Sequence, residues 1–371
     1  MLLTLFIVAL QTFPAVQYTS FTIQGVVVDS TSGESVPYVN VMLTDDKRGA
    51  VTDNNGEFVI ANVERRAHTI TVSAVGFKTK FLTIKPGAGP IFRLRIPLKE
   101  SPPTMHGVTV LGNRKELQYL QPDRTVITPA EAKSNISFFS NDLLGYVTHL
   151  PGVVTLSGMS TRYYVRGGSA DQNLVTIDGI TIYNFAHAFG LFSFLDPRIV
   201  KTSTFFEGDF GAQYGNRLSS VMDVRTVDGN PNRFTGNGSV DLFTADLEVS
   251  GPLSLSDQGT SSFVGFFRLP MNRGLIKNFF SLDDNFNFYD GFLKAGGDIG
   301  SEGKISAEVF ALGDNIQAED FFNPSYRWDQ RAAAVSGSFF MGDNYIFNFS
   351  VSYSRYTTGQ SVQTSQAFQY P

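Results

Sequence analysis

At 371 residues, with 42% hydrophobic and only 17% charged residues, the chain is long enough for roughly two or three domains and too apolar to be disordered. A net charge of −5 gives no basic face for nucleic acid, and the lack of cysteine excludes a disulfide scaffold and thiolate metal sites. Thirty-five glycines and 34 phenylalanines beside one tryptophan favour turn-rich β structure. Beyond the N-terminus no apolar run reaches the roughly 18 residues a helix needs to cross a bilayer, so a membrane role falls to strands or to surface attachment.

Residues 1–20 read as a secretory signal: Leu2–Leu10 is an apolar core, followed by Pro14 and small or polar residues. No Lys or Arg precedes Lys47, so the positive leader end is missing and a buried N-terminal strand or helix stays open as the alternative. Residues 21–99 then switch to short strands between turns. Phe21, Ile23 and Gly25–Val28 form one; Val39, Val41 and Leu43 alternate with polar neighbours; Phe58–Ile60, Thr69–Val75, Phe81–Ile84 and Ile91–Leu98 follow. That spacing predicts a small antiparallel β-sandwich. Thr52-Asp53-Asn54-Asn55-Gly56-Glu57-Phe58 and the later Gly76-Phe77 resemble signatures of the carboxypeptidase regulatory-like domain. Asp53, Asn55 and Gly56 read as a hairpin turn, because the glycine comes too early for a calcium loop.

Residues 100–115 form a linker, opened by Ser101-Pro102-Pro103, with a short extended segment at Thr104–Gly112. Residues 116–229 follow. Ser140-Asn141-Asp142 is suited to cap a helix carrying Leu143, Leu144 and Val147, stopped by Pro151-Gly152. Next come Tyr163-Tyr164-Val165-Arg166-Gly167-Gly168, a hairpin at Ile177-Asp178-Gly179-Ile180, and Gly211-Ala212-Gln213-Tyr214-Gly215-Asn216-Arg217 leading into Val221–Thr226. In this order the phrases resemble the plug domain of TonB-dependent outer-membrane receptors. The plug motif is Arg166, Gly167, Gly168, Asp178, Gly179, Tyr214, Gly215 and Arg217. One departure stands out: where many members read Arg-Gly-Pro, this chain has Phe206-Glu207-Gly208-Asp209, so that family arginine contact is not carried over.

The resemblance implies that Val108, Thr109 and Val110 contact the periplasmic protein TonB by strand addition, although the same residues also read as an ordinary first strand of the plug. It also makes Phe185, His187 and Phe189 ligand-facing candidates, with packing against a barrel wall as the equal alternative.

Residues 230–371 follow a period of two. Phe243, Ala245, Leu247 and Val249 alternate with Thr244, Asp246, Glu248 and Ser250; residues 304–311 and 345–354 do the same, and Phe263–Leu269 and Phe286–Ala295 are less regular strands. After a plug, this reads as roughly six strands of a partial transmembrane β-barrel, too few to close around the plug. The resemblance implies 22, so the chain is expected to be the N-terminal part of a longer Bacteroidota-type receptor.

The fold class expected is therefore mainly β: a small sandwich, a mixed α+β plug and the first strands of an incomplete barrel. The function implied is an outer-membrane receptor that imports an extracellular ligand (siderophore, peptide or glycan) with energy relayed by TonB. Outer-membrane lipid and a capping surface lipoprotein are the other implied partners, and no cofactor is called for. The alternative is a secreted or surface β-sandwich adhesin. An enzyme is not indicated: His68, His106, His149 and His187 lack zinc-binding spacing, and Asp178 and Asp223 lack a paired carboxylate. Deleting Thr104–Leu111 from the whole receptor is expected to abolish uptake while leaving membrane insertion intact; unchanged uptake would move the TonB contact elsewhere.

Overall fold

The computed structural model describes residues 19–46, 48–87, 89–101, 124–134, 142–155, 161–190, 192–253, 260–271, 286–316, 325–342 and 344–361. Residues 1–18 of the expected leader, and Val108, Thr109 and Val110, lie outside the described residues.

Seven strands make the N-terminal part: β1 (Ser20–Asp29), β2 (Asn40–Leu43), β3 (Gly49–Val51), β4 (Glu57–Glu64), β5 (His68–Ser73), β6 (Lys80–Ile84) and β7 (Ile91–Leu98). They form two sheets, ordered β4-β1-β7 and β3-β2-β5-β6. Alternate side chains from both sheets, among them Ile23, Val27, Val41, Leu43, Phe58, Ile70 and Ile96, bury each other between the layers. The sandwich is not purely antiparallel as expected, because β7 runs parallel to β1 from Thr22↔Ile91 to Asp29↔Leu98. The reason is topological: β6 belongs to the opposite sheet, so the chain crosses over before β7 and enters alongside β1 from the same end.

The Asp53–Glu57 turn is held by Asp53 Oδ1, which accepts the amides of Asn55 and Glu57, both at 2.9 Å. Gly56 sits at φ +75°, and a Cβ there would lie 2.8 Å from the Val27 carbonyl oxygen, so both conformation and space demand glycine.

The middle part contains β8 (Arg124–Ile127), α1 (Pro129–Ser134), α2 (Leu143–Val147), β9 (Val153–Thr155), β10 (Tyr163–Val165), β11 (Asn173–Ile177), β12 (Ile180–Ile182), β13 (Ala186–His187), β14 (Phe192–Ser193), β15 (Val200–Phe206) and β16 (Ser220–Thr226). Its central sheet is ordered β12-β11-β16-β15-β8, with β11 and β16 parallel. Asp142 caps α2, its Oδ1 accepting the Leu144 amide at 2.8 Å, and Leu143, Leu144 and Val147 are all buried. The hairpin between β11 and β12 closes with Ile177 opposite Ile180, and Asp178 and Gly179 both take positive φ (47° and 87°). Two consecutive left-handed residues match the twist of the flanking strands, which is why the pair is Asp-Gly.

The C-terminal part is one antiparallel meander: β17 (Thr235–Val240), β18 (Thr244–Pro252), β19 (Ser261–Pro270), β20 (Asn287–Ile299), β21 (Gly303–Ile316), β22 (Ser325–Met341) and β23 (Tyr345–Ser361). Among the described residues seven strands replace the roughly six expected, and β17 and β23 form the two edges.

The alternation has a direction. Leu247, Val249, Phe267, Leu269, Leu293, Val309 and Val335 are exposed, while Glu248, Arg268, Asp290, Lys294, Glu308 and Gln330 on the other face are buried. The inward parity is mixed, since Phe266, Phe292, Phe310, Leu312 and Trp328 are buried beside those polar groups, and an outward parity this apolar suits strands whose outer solvent is lipid. Gly56→Ala is expected to destabilise the sandwich by about 2 kcal/mol through strain at φ +75°; faster amide exchange in β1 and β4 checks it, and wild-type exchange would contradict it.

Candidate functional site

The plug sheet lies against the inward face of the meander, and the contact combines an apolar cluster with buried charges contributed by both. The residues of the Arg166–Arg217 motif hold the plug itself together. Arg166 and Gly167 form a left-handed turn (φ 47° and 84°) after β10, closed by the Gly168 amide to the Val165 carbonyl at 2.9 Å. The Arg166 guanidinium reaches Glu207 at 3.3 Å, so the residue standing in the departed Arg-Gly-Pro phrase is an acid that this arginine meets. Tyr214 packs on Phe206 (5.6 Å between rings), and its hydroxyl donates to Asp223 at 2.9 Å, tying the loop to β16. Gly215 continues that loop, and the Arg217 guanidinium stays at the exposed surface, donating to the Asn216 carbonyl at 2.8 Å.

Asp178 does more than turn the chain. Its carboxylate accepts the Thr226 amide at 3.2 Å and the Thr226 hydroxyl, and Lys294 of β20 approaches it at 3.4 Å. Burial works against its charge, yet the Lys294 ammonium and these hydrogen bonds hold it below the usual carboxylate range. Lys294 also reaches Asp228 at 3.2 Å, and Lys304 and Lys201 reach the same Asp228 at 2.6 and 3.0 Å. The three lysines and two aspartates form a belt where the plug hands over to the first wall strand.

A second belt sits toward the other end of the strands. The expectation that Phe185 and His187 face a ligand gives way here. His187 is fully buried: Nε2 meets Asp290 of β20 at 2.7 Å and Nδ1 meets Asp314 of β21. The adjacent Ala188 amide donates to the second Asp314 oxygen at 3.0 Å. The ring stacks on Trp328 (5.4 Å) and packs against Phe288 (5.0 Å). Arg268 closes the cluster, bonding Asp290 at 2.5 Å and the Ser193 carbonyl of β14 at 2.7 Å.

The physical reason for the correction is that inward carboxylates cannot be left unpaired once the plug excludes water, and the histidine supplies the matching charge. An imidazole with a carboxylate at each nitrogen donates from both, so it is the imidazolium. Burial disfavours that charge, but Asp290 and Asp314 outweigh it and push the His187 pKa up to about 9. Phe185 is also buried, against Tyr163 at 5.8 Å. The Phe189 side chain lies outside the described residues.

Two further contacts complete the interface. Arg198 bridges Asp196 and Asp246 of β18, each at 2.6 Å, with its guanidinium over Phe266. Gln330 of β22 satisfies the free edge of the plug sheet, accepting the Tyr183 amide at 3.0 Å and donating to the Thr181 carbonyl at 2.8 Å. None of these partners was singled out from the sequence. The available signal was the acids on the inward parity of the wall strands (Asp246, Asp290, Asp314), which call for cations from whatever fills the inside. Among the described residues no group of histidines and acids is placed to hold a metal ion.

Comparison with known proteins agrees with the two-part reading of the first half. The CarboxypepD_reg-like domain family matches residues 23–110, and the TonB-dependent Receptor Plug Domain family matches residues 121–221. The TonB-dependent receptor SusC of Bacteroides thetaiotaomicron is 28% identical over 240 residues, which is 59% of this chain and 22% of SusC. The chain thus spans about a fifth of the length of that curated relative, 22%. Solved structures with a similar fold include the siderophore receptor PirA from Pseudomonas aeruginosa (TM-score 0.48, 17% identity, 64% of this chain and 41% of that one). The Serratia marcescens hemophore receptor HasR is another (TM-score 0.47, 14% identity, 67% and 40%).

Replacing His187 by alanine strands Asp290 and Asp314 as unpaired buried charges and is expected to cost about 3–5 kcal/mol of plug seating. The raised pKa also sets a pH window: the stabilisation is fully present below the ordinary value of 6.5 and is lost as pH rises through about 9. Plug protection from protease, followed from pH 6 to 10, checks both; a flat profile with a wild-type-like alanine variant would refute them.

Proposed function

Because the chain carries a CarboxypepD_reg-like domain followed by a TonB-dependent receptor plug domain, we propose that it is the plug-bearing part of an outer-membrane receptor that imports an extracellular ligand. The observation that carries this reading is the inverted wall. An antiparallel meander turns Leu247, Val249, Phe267, Leu293 and Val309 outward and keeps Arg268, Asp290, Lys294 and Glu308 for the plug. A soluble sandwich would bury the apolar parity and wet the polar one.

Strands suit this location because every backbone N–H and C=O within hydrocarbon must be paired, and the β18–β22 ladders pair both of their sides. The plug is held by ionic contacts as well as by a shared apolar cluster, in which Ile182, Phe185 and Phe194 of the plug are buried with Phe266, Phe292 and Phe310 of the wall. Such an interface is sealed when the charges are matched and has water as its alternative partner when the plug shifts, which is what a movable stopper requires. In this reading TonB engages the segment at Val108–Val110 by strand addition and supplies the work that displaces the plug. The ligand, of the siderophore, peptide or glycan class, binds at the end of the wall marked by Pro270, Asn287, Ile316 and Ser325.

Removing residues 121–228 from the whole receptor is expected to open a pore that admits vancomycin and makes cells sensitive to it, and Arg166→Ala a smaller rise through loss of the Glu207 contact. A plugless receptor present in the outer membrane with no added sensitivity would sink the stopper reading.

A further inference from the structure

The N-terminal sandwich is seated on one end of the wall, and its contacts converge on the junction between plug and first wall strand. Glu34, in the turn after β1, accepts the backbone amides of both Asp228 and Gly229 at 2.7 Å. Beside it Lys201 of β15 donates to Ser35 at 2.5 Å and to Asp228 at 3.0 Å. Asp228 is the acid on which Lys201, Lys294 and Lys304 converge, so one short stretch joins sandwich, plug and wall.

The remaining contacts all fall at the same end of the strands. Arg95 of β7 pairs with Asp298 at 2.9 Å, Gln24 donates to the Gly342 carbonyl at 2.9 Å, Thr22 to Asn344 at 3.2 Å, and Ser338 to Glu57. These partners sit at or near the end where β20 passes to β21 and β22 to β23 within a few residues, opposite the end marked by Pro270, Asn287, Ile316 and Ser325. Short turns mark the periplasmic rim of outer-membrane barrels. The face of the sandwich that makes these contacts is polar and charged, as expected of an interface that forms and releases in water and unlike a permanent domain core.

We propose that the sandwich is a releasable clamp whose partner is the periplasmic rim of its own chain, with Glu34 as the residue that fastens the plug-to-wall junction. Docked, it fixes Asp228 and Gly229 and so holds the lysine belt in register with Asp178. Undocked, it frees the junction through which the plug must move. This goes beyond the receptor reading, since the seat is a property of the chain whether or not a ligand is imported.

The test uses the whole protein in outer-membrane vesicles. Since these 371 residues have no cysteine, and with any thiol outside them replaced by serine, the pair T22C and N344C reports docking through a short bismaleimide, and amide exchange at residues 226–230 reports the junction. The clamp predicts cross-linking in the otherwise wild-type chain. In E34K, where a lysine faces three lysines, cross-linking should be lost and junction exchange should rise about tenfold or more, with β5 amides still protected as the sign of an intact sandwich. E34Q keeps an oxygen acceptor and should restore most of the protection. Absence of the cross-link in the parent pair, or E34K exchanging at the parent rate, would overturn the proposal. Because none of these readouts needs transport, they separate failure of the clamp from failure of the importer reading.

Discussion

A charge taken out of water must find its opposite, and this molecule divides the two members of each pair between separate structural units. Asp290 and Asp314 project from the wall into a space that only the plug fills, and the plug answers with His187. Arg198 of the plug is likewise met by Asp246 of the wall, and the wall's Lys294 by Asp178 of the plug hairpin. Neither unit is electrostatically complete without the other. An unpaired buried carboxylate costs more than the pair gains, so the contacts act mainly by penalising every arrangement in which the plug is absent but water has not yet replaced it.

That division explains why the local geometry of the plug is so tightly specified. The Asp178-Gly179 turn has to place a carboxylate between Thr226 and Lys294, and a two-residue turn with both residues left-handed does so without slack. Asp142 caps α2 with one oxygen and takes the Ser193 amide with the other, so the helix, β14 and the Arg268 contact to Ser193 are set by one buried side chain. Positioning of His187 follows from the same frame, since β13 pairs with β14 through His187 opposite Phe192.

Much of this was legible in the residues. The helix cap at Asp142, the hairpin at Asp178-Gly179 and the alternation around Leu247 and Val309 are local signals, each decided within a few neighbours. Strands without such a signal were missed. In β17 Gly236 and Gly238 remove the side chains that would alternate, β3 is only Gly49–Val51, and in β22 the run Ala332-Ala333-Ala334 is equally small on both faces. The parallel β1–β7 pair and the His187 cluster were illegible for a different reason. Asp290 and Asp314 lie 103 and 127 positions from the histidine, so only the closed topology brings them together. For His187 the residues left a ligand-facing apex and packing against a barrel wall as equal readings, and the inward acids Asp290 and Asp314 are what favour the packed one.

The central claim is that one parity of the wall strands faces lipid and the other faces the plug. A single-cysteine scan along β21, in the whole receptor with any thiol outside these 371 residues replaced by serine, tests it, because these residues carry no background thiol. With a fluorophore at each position and brominated lipid as quencher, the account predicts quenching at Ile305, Ala307 and Val309 and little at Ser306, Glu308 and Phe310. Uniform quenching, or aqueous labelling of the odd positions as readily as the even ones, would contradict a membrane-spanning wall around a seated plug.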